Sequence, residues 1–456
     1  MRYYFSLTVV TFLASLAAGS AHSQDSVLTE TEMELASIRL DIAELEAGSS
    51  RLDRGMLEPL DQFSQQLVGA GRYGEAHQVL DQAVQIIRVN EGLYSPTQFP
   101  YVLRRIENYG NEGDWRHARE MMEHMDWLLH RGENAIDTSL MDAMLKLVDI
   151  HLWGVANDHV SMQSFHFRSA QRLNGIAIRV ATAAWGEDDP RFPALVYKQV
   201  VQQYLQTVAV EMGGGTGIGL RRFSNTGLAR SRREARTGYY YSGLRLLDRN
   251  RRVYLNQPEP NLEGMAMAEM YIADWQVLFG NSEAAAFSYA RSNALLLEVG
   301  IEQQEINRFF AHPKLIPALD FVDSWDSALV LIDEPTSANS LEESVSSFNF
   351  QQWSSQFPHY LAPFDFGADP LSAPEDDYAM FAFNLTGLEE IGRWYKGRLT
   401  KEVSSPQNVE LVTQRFNQPM DWLELENAIQ DFRFRPKLID GVPQSVNATL
   451  LYQLAQ

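Results

Sequence analysis

The sequence predicts a mainly α protein, a long array of stacked helix pairs followed by a small α+β domain. Three observations predict this. Small and aromatic residues recur at a fixed offset of 42 residues early in the chain. From Met56 to about Ile316 the apolar spacing stays helical almost throughout, and in the last eighty residues it switches to the alternation of strands.

The recurring stretch comes first. Gly71, Tyr73, Ala76, Leu80 and Ala83 are answered by Gly113, Trp115, Ala118, Met122 and Met125. Gly lets one helix turn into the next, Ala lets the two backbones approach closely, and the aromatic two residues after the Gly fills the wedge between them. Asn90-Glu-Gly-Leu-Tyr-Ser-Pro96 then reads as the loop between pairs. This pattern resembles the tetratricopeptide repeat in its longer, 42-residue form. The resemblance implies an α-solenoid whose concave groove binds other proteins and carries no catalytic chemistry.

The flanking segments are read from composition. Arg2 and the apolar run Tyr3 to Ala18, followed by Ala21-His22-Ser23, have the pattern of a secretory signal peptide over residues 1–23. The run is short for a membrane-spanning helix, which makes a retained anchor the lesser alternative. Residues 24–55 read as a helix, with Leu28, Leu35, Ile38, Ile42 and Leu45 forming an apolar stripe that covers the first repeat, a short dimerising coiled coil being the lesser alternative. The chain of 456 residues has no Cys, so an exported product relies on packing without disulfides. A formal charge of −21 argues against nucleic acid or an anionic membrane as a partner for the whole surface.

Within residues 56–320 the array continues in looser form. Phe165 to Ala183 carries Ala170 and Ala177 at the small-residue spacing, and Ala184-Trp-Gly-Glu-Asp-Asp-Pro190 looks like the inter-pair loop. A helix follows over Pro193 to Met212. A later unit centres on Leu278-Phe-Gly-Asn-Ser-Glu-Ala-Ala285 with Tyr289, where Ser282 takes the aromatic slot. Gly213-Gly-Gly-Thr-Gly-Ile-Gly219 resembles the glycine loop of tubulin-like GTPases, but no strand precedes it and no nucleotide-binding core surrounds it, so it reads as an insertion. Arg221 to Arg252 sets ten arginines against two acids, Glu234 and Asp248. Interleaved tyrosines make Arg230, Arg232, Arg233, Arg236 and Tyr240 candidates to grip an acidic peptide or an anionic envelope polymer. The alternative is that these arginines pair with acidic faces of neighbouring repeats.

Residues 321–377 hold the breakers and polar residues of a loop-rich linker, with Leu329 to Ile332 as a short strand. Phe348, Phe350, Trp353, Phe357, Tyr360, Phe364 and Phe366 require something to pack against. In residues 378–456, strands are expected at Phe381 to Leu385, Ile391 to Leu399 and Val446 to Leu454, with a helix at Met420 to Asp431. The connecting run Phe432-Arg-Phe-Arg-Pro-Lys-Leu-Ile-Asp-Gly-Val-Pro443 resembles the C-terminal domain of the TonB family. That resemblance implies a small sheet with helices on one side, used either as a packing or docking module or to capture an outer-membrane transporter segment by strand addition at an unpaired edge. It makes Val446, Ala448 and Leu450 candidate binding positions. The chain departs from the family in lacking a persistent membrane anchor and a long Pro/Lys-rich spacer.

No constellation for catalysis stands out. The ten His are scattered, with His117 and His124 on one side of a helix, and there is no HExxH, no Cys nucleophile and no G-x-S-x-G elbow. The expectation is a periplasmic, non-enzymatic protein-interaction adaptor without cofactor or metal. An envelope-polymer-binding assembly factor is the alternative, and a cryptic hydrolase the remaining one.

Overall fold

The computed structural model of the chain describes residues 21–48, 50–131, 138–212, 232–318, 321–330, 345–350, 378–395, 398–415 and 422–454. The expected signal run, the Gly213 to Gly219 loop, Arg221, Arg222, Arg230 and the aromatics from Trp353 to Phe366 lie outside these residues. The chain is mostly helical with a β region toward its C-terminal end, and it divides into two compact units, 1–135 and 136–456.

In the first unit, α1 (Ala21–Gly48), α2 (Leu57–Gly69), α3 (Tyr73–Glu91), α4 (Phe99–Glu112) and α5 (Trp115–Arg131) pack each on the next. The α1 stripe is partly as expected: Leu35 and Ile42 are buried on α2 and α3, whereas Leu45 is exposed. The repeated residues occupy equivalent places. Ala76, Leu80, Ala83, Ala118 and Met125 are wholly buried, and Trp115 and Met122 nearly so. Gly71 and Gly113 adopt φ of +69° and +81°, which only glycine takes without strain. Each turn closes alike, Arg72 N–H donating to the Leu67 carbonyl at 2.8 Å and Asp114 N–H to that of Tyr109 at 2.9 Å.

The second unit is organised around α10 (Leu262–Leu278), buried on all sides from Gly264 to Leu278. Before it run α6 (Thr138–Asn157), α7 (Gln163–Trp185), α8 (Phe192–Met212) and α9 (Arg232–Leu255), and after it α11 (Ser282–Val299) and α12 (Gln303–Phe309). The α10–α11 turn repeats the closure of the first unit: Gly280 has φ of +76°, and Asn281 N–H donates to the Gln276 carbonyl at 2.8 Å. Ala285, Tyr289 and Ser292 are wholly buried at the positions of Ala76, Leu80 and Ala83. The two expected inter-pair loops also match. Gly92 and Gly186 have φ of +102° and +89°, and Ser95 and Asp189 each accept from the backbone N–H two residues on.

The β region contains a four-stranded sheet in the order β2 (Val345–Phe350), β10 (Val446–Leu454), β3 (Tyr378–Leu385), β6 (Gln407–Arg415). Its core joins Phe381, Phe383 and Leu385 of β3 and Ala448 and Leu450 of β10 to Ile429 of α14 (Trp422–Asp431). Three two-stranded pairs accompany it: β1 (Lys314–Ile316) with β7 (Arg433–Arg435), β4 (Glu390–Tyr395) with β5 (Arg398–Val403), and β8 (Lys437–Ile439) with β9 (Val442–Gln444).

Several expectations need correction. Ile391 to Leu399 is not one strand, since β4 ends at Tyr395 and β5 begins at Arg398, paired back on it. Leu329 lies in a short helix, α13 (Trp325–Val330), because Trp325 and Ala328 one turn apart both enter the helical core. Val446 to Leu454 is an internal strand, since β2 pairs with it from Thr449 to Leu454. The β region is also tied to the helices, with Val403 and Leu438 buried in the α10 core and Leu438 N–H donating to the Phe310 carbonyl at 3.0 Å.

Candidate binding surfaces

The arginine-rich helix α9 makes many internal pairs. Arg249 bonds to Glu187 at 2.9 Å and lies over the Phe192 ring, while Arg251 bonds to Glu269 at 3.0 Å and to Asp248 at 2.5 Å. Arg252 shares Asp248 at 2.5 Å. Glu269, on the buried helix α10, also meets Arg291 at 3.2 Å. Each of these pairs uses up positive charge that the sequence places in this segment.

Two of the predicted grip residues take part in the same packing. Arg236 donates to the Leu278 carbonyl at 3.1 Å and lies 5.0 Å above the Phe279 ring. The Tyr240 hydroxyl accepts from Asn281 at 3.0 Å and its carbonyl accepts from the Trp275 indole at 3.0 Å. Arg232 and Arg233 open α9, and Arg230 is outside the described residues. The structure therefore joins Arg236 and Tyr240 to the α10–α11 turn. Of the β10 candidates, Ala448 and Leu450 face the sheet core and Val446 packs partly against it.

A surface missed in the sequence lies in the first unit. Tyr94, in the loop after α3, meets Trp127 of α5 with ring centroids 5.3 Å apart. These rings are 42% and 40% exposed, and Leu93 and Val89 nearby in the chain are 62% and 65% exposed. His124 stacks on Trp127, and Arg131 lies 5.4 Å above the same ring. Arg88 donates to His124 Nε2 at 3.1 Å. Burial, then the charges of Arg88 and Arg105, lower the His124 pKa and keep its ring neutral, able to accept that bond. An aromatic pair with two guanidinium groups beside it suits an apolar or aromatic side chain next to a carboxylate. The sequence signal was weak, since Tyr94 and Trp127 are 33 positions apart.

The second unit holds a buried polar chain. Asp158 bonds to His166 Nε2 at 2.9 Å, and His166 Nδ1 faces His151 Nδ1 at 3.1 Å. Burial, followed by the charges of His166 and Arg172, lowers the His151 pKa well below its ordinary value. Among the described residues no group of three His, Cys, Asp or Glu is arranged to hold a metal ion. Among them, too, no helix is long and apolar enough to cross a membrane.

No family model matches the chain, and no curated protein is significantly similar to it. What the geometry defines is a mostly helical chain with a small C-terminal β region.

Proposed function

We propose that the chain is a non-enzymatic protein-interaction adaptor of the cell envelope, exported to the periplasm by a cleaved signal peptide. The observation that carries this reading is the triple recurrence of one turn. Gly71, Gly113 and Gly280 share a left-handed backbone, the same six-residue closing hydrogen bond, and a buried small residue five positions on. That recurrence supports a tetratricopeptide-like array, an architecture whose exposed faces dock other polypeptides. The exposed Tyr94–Trp127 pair, flanked by Arg88 and Arg131, is the proposed contact for an acidic, apolar-tipped segment of a protein partner. The Phe432 to Pro443 run and the sheet around β10 support a TonB-like C-terminal domain, with a link to TonB-dependent transport through an extended transporter segment. The alternative of an envelope-polymer-binding factor loses weight, because Arg236, Arg249, Arg251 and Arg252 have intramolecular partners.

The test is affinity purification of the tagged chain from its own cells beside a Tyr94→Ala/Trp127→Ala variant. A stoichiometric protein that co-purifies with the wild type and is lost from the folded variant supports the adaptor. Equal recovery with both removes the aromatic pair from the binding surface.

A further inference from the structure

We propose that the two buried histidines of the α6–α7 hairpin act as an acid-operated catch, which holds the hairpin closed with up to one added proton on the pair and releases it at the second. For its use in the cell this rests on the export proposed above, which sets the chain against the acidity of its surroundings, whereas its geometry stands alone.

The contact is built from three groups. His151 of α6 and His166 of α7 are buried, with Nδ1 facing Nδ1 at 3.1 Å. Nε2 of His166 lies 2.9 Å from the carboxylate of Asp158, in the turn that follows α6, and that carboxylate is itself only 2% exposed. An ionised carboxylate only accepts, so Nε2 of His166 carries a proton. Between the facing Nδ1 atoms there is room for one proton, because one ring must accept there.

Two protonation states satisfy these bonds. In the neutral pair His151 donates from Nδ1 and His166 accepts. With one proton added, His166 becomes a cation that donates both to Asp158 and to His151, and His151 keeps its own proton on Nε2. The Asp158 charge balances that cation. A second added proton sets N–H against N–H between two like charges, and the contact has to open.

The rings cannot relieve this by turning aside. A Cβ on Gly154 would come within 2.6 Å of the His166 ring, so the α6 backbone lies directly against it. Phe165 meets both rings edge-on, 5.7 Å from His151 and 5.2 Å from His166. Gln163 ties the same end of the hairpin, donating to the Val155 carbonyl at 3.1 Å. Opening the contact therefore parts α6 from α7. Burial is the largest cause of the lowered His151 pKa, and the charges that act with it are those of His166 and Arg172, both on α7. Unfolded His151 takes its proton near pH ~6.5 and folded His151 only well below, so the hairpin is stable above that pH and loses stability as the pH falls.

The test is hydrogen exchange of the full chain, read by mass spectrometry between about pH 7.5 and about pH 4.5 with the intrinsic pH dependence of exchange removed. Amides of α6 and α7 are expected to lose about tenfold in protection relative to those of α10 and α11, and to regain it on return to neutral pH. Constant relative protection would overturn the proposal. Two variants ask whether the pair is the cause. His151→Gln keeps a hydrogen-bonding side chain that takes up no proton, and it should abolish the response. Asp158→Asn removes the charge that balances the first proton in the closed hairpin, and it should move release upward by about one pH unit. A wild-type response in His151→Gln, or an unmoved midpoint in Asp158→Asn, would overturn the proposal. If either variant is already open at neutral pH, the wild type decides through magnetic resonance of its histidine rings. The pair should titrate in two steps, the second coinciding with the loss of protection. A single step, or a second step apart from that loss, would overturn the proposal. His77 lies in the other compact unit, so these amides report the pair without it. None of the readouts depends on where the chain resides, so this failure is distinguishable from failure of the export reading.

Discussion

Arg435 of β7 and Asp274 of α10 form a buried two-point ion pair, Nε to Oδ1 at 3.0 Å and Nη2 to Oδ2 at 2.6 Å. Tyr289 of α11 donates to the same Oδ1 at 2.7 Å. Burial alone would lower the Arg435 pKa, but the charge and hydrogen bonds of Asp274 outweigh it and raise the pKa. Burial and the Asp274 charge push the Tyr289 hydroxyl well up, so it stays a neutral donor. The pair fastens the β region to the helical layer. On the neighbouring position Phe434 enters the sheet core, so β7 carries one residue into each core.

Removing one member should therefore be costly. Arg435→Met leaves the Asp274 carboxylate buried without its cation, at an expected loss of about 3–5 kcal/mol. Asp274→Leu should behave alike, and the double variant should recover much of the loss. Urea denaturation of the three variants gives the coupling directly, and additive losses would show that the residues act independently.

The repeat turns give a second expectation. Ala76→Glu places a charge at a wholly buried helix contact and should cost several kcal/mol, visible as a lower melting temperature. Gly113→Ala meets no atom within 4 Å, so only its backbone strain counts, about 1–2 kcal/mol. Wild-type stability of Ala76→Glu would contradict the helix pairing there.

A third expectation concerns acid. His77 stacks on Tyr109 at 3.7 Å and has no hydrogen bond on either ring nitrogen among the described residues. Burial first, then the charge of Arg105, pushes its pKa down to about 4, outweighing the opposing charges of Asp81 and Asp114. Below pH of about 6.5 the unfolded state takes up a proton that the folded state refuses. The His77 contribution should thus be intact above that pH, fall toward pH 4, and level off below. His77→Phe should flatten the fall in melting temperature across that window, and an unchanged pH profile would exclude His77 as its source.

The α6–α7 hairpin supplies a fourth. A Cβ on Gly154 would come within 2.6 Å of the His166 ring, so Gly154→Ala must displace that ring and its bonds to Asp158 and His151. The expected cost is about 1–3 kcal/mol, with faster amide exchange in α6 and α7. Unaltered exchange would show that the ring has room to move.

The helix pairs were legible in the sequence because a left-handed turn demands glycine and a close helix contact demands alanine, two local requirements that leave a spaced signature at Gly71, Ala76, Gly113 and Ala118. The role of Arg435 was not, since its partner Asp274 is 161 positions away and an apolar helix hides one carboxylate among its residues. The same holds for β10. Alternation along Val446 to Leu454 reports a half-buried strand but not its neighbours, and the strand that flanks it comes from Val345 to Phe350. The arginine segment left two readings open, a partner grip or internal pairing, and charge counted along the chain could not choose between them because it ignores carboxylates such as Glu187 and Glu269, which folding brings to Arg249 and Arg251.

The adaptor claim is met most directly by photo-crosslinking in living cells, with a photoreactive phenylalanine analogue in place of Trp127. Docking of a protein at this surface predicts one discrete protein adduct at position 127, lost when Tyr94→Ala is added and absent with the analogue at Arg116 on an exposed part of the same helix. No protein adduct at position 127, from a folded chain that reaches the envelope at its normal level, would contradict it.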